Sequence, residues 1–264
     1  MLTTKKSARK RQPHYAVPAL DRGLDILEAL SASPVPLSLT DIARAVGSTS
    51  SGIFRLMARF EERAYIAKDS VSGRYGLTLK LFELSHTHSP VENLLRAAAG
   101  PMRELAETSG ESVHLSVINN GKLVVLLDVG TPGRWRISFD VGGSFPVLQT
   151  NSGRLLIAHL REDLRNEILS RDHDYASLTE AGRQALLAEF EVLRRDRYAV
   201  TRSSERGGLH DITVLTGSTE AGHIAAIAIA CMHSGPDEAV YVQRLIDGLR
   251  ECAVKITAAQ GLSS

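Results

Sequence analysis

Apolar positions in the first third of the chain recur at helical spacing. Leu20, Leu24, Leu27 and Leu30 predict a helix after Pro18. The prolines of "SPVPLS" end it. Ser38 and Asp41 form an S-x-x-D capping box, so a second helix starts there and buries Ile42, Ala43 and Val46. Gly47 suits the left-handed residue that follows a helix end. A third helix is expected from about Thr49 to Arg63, with Ile53, Leu56, Met57 and Phe60 as its apolar stripe. "AYIAKDSVSGRYGLT" then reads as two short strands around a Ser-Gly turn.

Helix, helix, short turn, helix and hairpin together predict a winged helix-turn-helix over residues 16–78. With the stripe of the third helix buried, Ser48, Thr49, Ser50, Ser51, Phe54 and Arg55 fall on or beside its open side, and Arg59 is a further exposed cation. Hydroxyls and free N–H groups at a helix start meet phosphates or base edges. Arg55, one turn on, reaches guanine edges or phosphate. Arg74 in the wing is a candidate for backbone or minor-groove contact. The plainer alternative is that the serines only cap the helix and the arginines are only solvated. Gly52 costs about 1 kcal/mol inside a helix, and close approach to a duplex is one reason to tolerate it.

A short helix is expected at about 78–85, within a linker at 79–89 that "HTHSP" closes. Past Pro90 a helical stretch carries Leu94, Leu95, Ala98, Met102 and Leu105, kinked or split at Pro101. The period then changes to two. "SVHLSVI" and "KLVVLLDV" flank Asn119-Asn120-Gly121, a hairpin turn. "RWRISFDV" alternates and reads as a strand. A helix begins near Asn151, and a long one containing Leu186, Leu187, Phe190 and Leu193 ends near Arg197. Strands follow at about 198–203, 211–216 and 223–231, then a helix at about 237–259. The expected fold class is α+β, with one antiparallel sheet flanked by helices over residues 90–264.

Charge adds direction to this picture. Residues 1–80 hold 13 Lys and Arg against 7 Asp and Glu, a net +6, and the remainder holds 18 against 23, a net −5. The tail at 1–15, expected to be disordered, has five basic residues and no acid. That end suits a polyanion, though a basic tail can also serve only as a solubiliser. Two cysteines exclude a disulfide framework and fit a reducing cytoplasm. Neither a signal peptide nor a membrane span is legible. No P-loop, G-x-G-x-x-G, H-E-x-x-H or G-x-S-x-G occurs, so no cofactor and no metal are expected.

The order of these motifs resembles the IclR family of bacterial transcriptional regulators. "ALDRGLDILEAL", "SLTDIARAVG" with "FRLM", "SGRYGLTLKLFEL", "TSGESVHLSVINNGKLVVL", "GGSFPVLQTNSGRLLIA", "LRRDRYAV" and "GHIAAIAIA" carry the likeness across about residues 17–257. The resemblance implies a DNA-binding winged helix, a linker helix and a GAF-like effector-binding domain. It also implies a homodimer or dimer of dimers on a palindromic double-stranded operator, acting as a repressor, and a small organic or aromatic effector.

Carried over position by position, the resemblance places the effector among Trp135, Ile137, Phe145, Asn151, Ser152, Thr201, Leu209 and Asp211. The aromatic pair is equally at home in a core, and Asn151 and Ser152 as helix caps. Asp211 stands where the family usually has a cysteine or small residue, and would repel a carboxylate unless protonated or paired. A neutral or amine-bearing ligand, or an acid held only by the helix start, is therefore expected. Two alternatives remain: a metal- or ligand-binding sensor of this fold without DNA regulation, and a hydrolase using His210 and Asp211. Adjacent residues of a strand point to opposite faces, which argues against that pair as a relay.

Overall fold

The structure is a computed structural model that describes residues 17–86, 90–131, 137–203, 209–220, 222–234 and 236–261. The basic tail and Trp135 lie outside the described residues. The chain divides into two compact units, Met1–Ser89 and Pro90–Ser264.

In the first unit α1 (Pro18–Ser31), α2 (Leu39–Ala45) and α3 (Ser50–Glu62) precede a hairpin of β1 (Ile66–Lys68) and β2 (Tyr75–Leu77), and α4 (Lys80–His86) follows. Each boundary has a local cause. Ser38 Oγ accepts from the Asp41 N–H at 3.2 Å and donates to the Asp41 carboxylate at 2.6 Å, the expected box. Thr49 Oγ1 accepts from the Gly52 N–H at 3.1 Å and caps α3. Ile26, Leu30, Ile42, Ala43, Ile53, Met57, Ile66 and Tyr75 form one core. The Tyr75 backbone also bridges to Leu37, tying the hairpin to the segment before α2.

The second unit opens with α5 (Pro90–Ser109), which continues unbroken through Pro101. Proline forfeits one helical hydrogen bond, and burial of Ala98, Met102 and Ala106 keeps the two halves in line. The strands β3 (Val113–Asn119), β4 (Lys122–Val129), β5 (Ser144–Pro146), β6 (Tyr198–Ser203), β7 (Leu209–Ser218) and β8 (His223–Met232) form one antiparallel sheet, ordered β5-β4-β3-β8-β7-β6. Asn120 and Gly121 both take positive φ, as a two-residue hairpin requires.

Alternation splits this sheet into two faces. Val113, Leu115, Ile212, Val214, Ile227, Ile229 and Cys231 join α5 and α10 (Glu238–Ala259) in one core. Leu123, Leu215 and Ala226 join α6 (Asn151–His159) and α9 (Glu180–Asp196) in another. Two shorter helices, α7 (Glu162–Arg171) and α8 (His173–Ser177), were not legible in the sequence.

The segment expected to be a strand, "RWRISFDV", is corrected over its described part. Residues 137–140 have no strand partner, and the Phe139 N–H points to the Asp128 carboxylate at 3.4 Å. The ladder on β4 is taken instead by β5, through Lys122↔Pro146 to Val124↔Ser144.

Candidate functional site

Two sets of residues stand out, one in each unit. In the first, α3 buries Ile53 and Met57 and turns Thr49, Ser51, Phe54, Arg55 and Arg59 outward, while Ser48 and Ser50 are half-buried at its start. Phe54 is 59% exposed. Arg55 has no ion-pair partner among the described residues, whereas Arg59 donates to Glu62 at 2.6 Å. Arg74 is tethered: its Nη1 donates to the Pro36 carbonyl at 3.1 Å and lies 3.9 Å from Asp41. Gly52 has a reason internal to the protein. A Cβ there would stand 2.8 Å from Ser48 Oγ and 3.1 Å from the capping Thr49 Oγ1, so a larger residue would make the Ser48 hydroxyl turn away.

In the second unit the start of α6 is drawn onto the sheet. Thr150 Oγ1 caps the helix by accepting from the Gly153 N–H at 3.0 Å. A Cβ on Gly153 would fall 2.1 Å from the Val147 carbonyl oxygen, so only glycine allows the chain to turn this tightly there. Asn151 and Ser152 are consequently buried. Asn151 Nδ2 donates to the Asp211 carbonyl at 2.8 Å, and its Oδ1 accepts from Thr201 Oγ1 at 2.7 Å and from Arg154 at 3.3 Å. Ser152 Oγ and Thr213 Oγ1 are 3.1 Å apart.

Register explains why these groups meet. Thr201, Asp211 and Ala230 are directly paired across β6, β7 and β8. In the next row Ala199, Thr213, Ala228 and His114 are paired across β6, β7, β8 and β3. Burial drives the Asp211 carboxyl up to about 6, although the Asn151 backbone N–H and the Arg154 charge both favour its anion. Burial also pushes His114 down to about 4, so it is neutral at pH 7.

Of the eight predicted effector residues, Asn151, Ser152, Thr201 and Asp211 come together. Leu209 shares their face by alternation along β7. Ile137 lies in the irregular segment, and Phe145 reaches the group only through Phe139, at 6.1 Å from Phe145 and 4.4 Å from His114. The sequence reading missed His114, Phe139, Thr213 and Ala228. Two alternations carried the signal: polar Ser112, His114 and Ser116 in β3 and its approach, and small Ala226, Ala228 and Ala230 in β8.

His210 faces the other way. It is buried beside Glu238, with Nε2 3.5 Å from the carboxylate, while Asp211 turns to α6. The two form no relay. No cluster of three or more His, Cys, Asp and Glu suited to a metal occurs among the described residues.

Residues 19–70 match the IclR helix-turn-helix domain, and residues 87–258 match the bacterial transcriptional regulator IclR C-terminal domain. The chain belongs to the IclR family. It is similar to the HTH-type transcriptional regulator XynR of Escherichia coli (strain K12), with 26% identity over 227 residues, 84% of this chain and 89% of that protein. The transcriptional repressor IclR of the same organism is 24% identical over 252 residues, 93% of this chain and 90% of that one. In fold, the chain is similar to an IclR homolog from Microbacterium hydrocarbonoxydans solved with 4-hydroxybenzoate. That likeness has a TM-score of 0.77 at 22% identity and covers 93% of this chain and 100% of the other. As an IclR-family protein the chain is a helix-turn-helix transcriptional regulator with a C-terminal effector-binding domain. No helix among the described residues is long and apolar enough to cross a membrane.

Proposed function

We propose that this regulator is a cytoplasmic repressor that sets α3 in the major groove of a palindromic operator and is released or tightened by a small molecule at the start of α6. Residues 16–78 are the DNA-binding head, 79–89 the linker and 90–264 the sensor, and no catalytic step is assigned to any of them. The observation that carries the reading is the unpaired, solvent-facing Arg55 beside Phe54 on a helix whose opposite stripe is buried. Ser48, Thr49, Ser50 and Ser51 bring hydroxyls and free N–H groups to phosphate at the same helix start. Phe54 offers an apolar contact suited to a thymine methyl, and Arg55 a fork suited to guanine. Arg59 and Arg74, both already engaged, serve the phosphate backbone. Repression follows the printed names of similar proteins, the E. coli repressors IclR and AllR.

A palindrome calls for a second copy of the head. Val17, Leu20 and Leu24 on or beside α1, and Leu79, Phe82 and Leu84 on or beside α4, leave large apolar side chains in solvent at 49–73% exposure. Such rows favour self-association into a homodimer or dimer of dimers. Half-sites are then one helical turn, or a multiple of it, apart. In the sensor, Asn151, Ser152, Thr201, Leu209 and Asp211 make the ligand-facing group, with Ile137 and Phe145 toward its apolar side. The ligand acts only through its differential affinity for the two states of the regulator.

The test is a gel-shift titration on the DNA flanking the protein's own gene, with and without a panel of small acids, amides and amines. A sequence-specific shift moved by one compound supports the reading. No specific shift at low salt, with or without compounds, removes it.

A further inference from the structure

The chemistry around Asp211 narrows what the sensor can hold. Resting on the effector site proposed above, we infer that it selects a compact ligand presenting N–H or O–H donors to Asp211, such as an amide, amine or alcohol, and rejects a carboxylate at the start of α6.

A helix start normally invites an anion. Here the protein supplies the anion itself. The Asn151 backbone N–H faces the Asp211 carboxylate, and the Gly153 N–H is taken by Thr150. The Asn151 side chain is spent as well, on the Asp211 carbonyl, Thr201 and Arg154. Arg154 is the cation that acts on Asp211, but its Nε lies 3.3 Å from Glu189, so no spare positive charge remains for a second carboxylate. A ligand arriving at this helix start therefore meets mainly acceptor oxygens, the Ser152 N–H being the first-turn donor not taken by the cap or by Asp211. Against them a carboxylate is repelled, and an amide N–H, ammonium or hydroxyl is bound.

The other end of the row fits the same class. Ser112, one step beyond the Val113↔Ile229 pair, stands across Ala230 from Asp211. Its Oγ is buried with no hydrogen-bond partner among the described residues. Two strand spacings separate the two side chains, about 9.6 Å, and the small Ala230 is the residue of β8 paired between them. Beside this row, the neutral His114 packs against Phe139 at 4.4 Å and offers a flat apolar flank. A ring-sized ligand with a donor at the Asp211 end and a second polar atom at the Ser112 end adds a donor to a carboxylate that burial disfavours and pairs the Ser112 hydroxyl, which has no partner among the described residues.

The experiment uses the full chain and three matched probe pairs: acetate and acetamide, benzoate and benzamide, 4-hydroxybenzoate and 4-hydroxybenzamide. Binding is measured by calorimetric titration at pH 8, where Asp211 is ionised, on the wild type, Asp211→Asn and Asp211→Ala. The inference expects at least one amide to bind the wild type more than tenfold tighter than its acid. It expects both variants to erase or invert that ratio, the isosteric Asn variant serving if the Ala variant folds poorly. An acid that binds the wild type as tightly as its amide overturns the inference and leaves the effector site in place. Silence of all six probes on all three proteins removes the effector-site reading and the inference with it.

Discussion

The head and the sensor solve opposite problems. In the head, the residues proposed to meet DNA are mostly exposed and close together in sequence: Ser48 to Arg59 lie within twelve residues along one helix and its cap. In the sensor, they are scattered and largely withdrawn from solvent: Asn151 and His114 are buried, Asp211 is half-buried and Thr201 stays exposed, and they come from one helix and three strands. An exposed arginine keeps its hydration and costs the fold almost nothing. The Asp211 carboxyl, half-buried against α6, is desolvated, which pushes it up to about 6. Function at a surface can be added to a finished fold, whereas function in a core is part of what the core must stabilise.

The sharpest way to break this comparison is to damage one core and watch the other. Ile53 is fully buried in the head, and Ile53→Ala should cost the head about 2–5 kcal/mol. Scanning calorimetry should show the head transition lowered and the sensor transition unmoved. A common shift of both would mean that the two cores unfold as one.

A smaller effect, of opposite sign, is expected in the sensor. The folded-state pKa of Asp211 lies above its ordinary 3.8, at about 6. Its contribution to stability is therefore full below pH 3.8 and is lost as pH rises through 6. Asp211→Asn removes that loss and should stabilise the protein at pH 8 by about 1–3 kcal/mol, fading toward pH 4. Urea titrations at the two pH values measure it, and an Asn variant less stable at pH 8 would place Asp211 among the stabilising ions.

Arg55→Ala should leave stability within about 0.5 kcal/mol while weakening operator binding by about 1–3 kcal/mol. Unchanged affinity would take Arg55 off the interface. The smallest change expected is Thr49→Ala. Loss of the α3 cap costs about 1 kcal/mol, and it should lower the head transition by a few degrees in the same calorimetric scan.

What was legible follows from the same contrast. The α3 stripe, the Ser38–Asp41 box and the Asn120-Gly121 turn are local patterns, and each appears where the spacing put it. The Arg74 tether to Pro36 spans 38 positions and has no local signature. Helix α7 was missed because only Leu169 of its ten residues is buried, which leaves no apolar stripe to read. Residues 137–140 alternate yet have no strand partner, because alternation records which side chains share a face and says nothing of what the backbone bonds to. The Asn151–Thr201–Asp211 group was reached only through family likeness. Its members lie 50 and 60 positions apart and are joined by strand register.

The small-large alternation of β8 has a consequence for how such a sensor diversifies. Ala226, Ala228 and Ala230 face α6, while Ile227, Ile229 and Cys231 face α5 and α10. A methyl group added to an alanine reshapes the seat of α6, and with it the donors and acceptors a ligand meets. The opposite layer is untouched, because its side chains leave the strand in the other direction. One ribbon of backbone thus keeps two separate ledgers of mutation, and a lineage can change what it senses without rebuilding what holds it together.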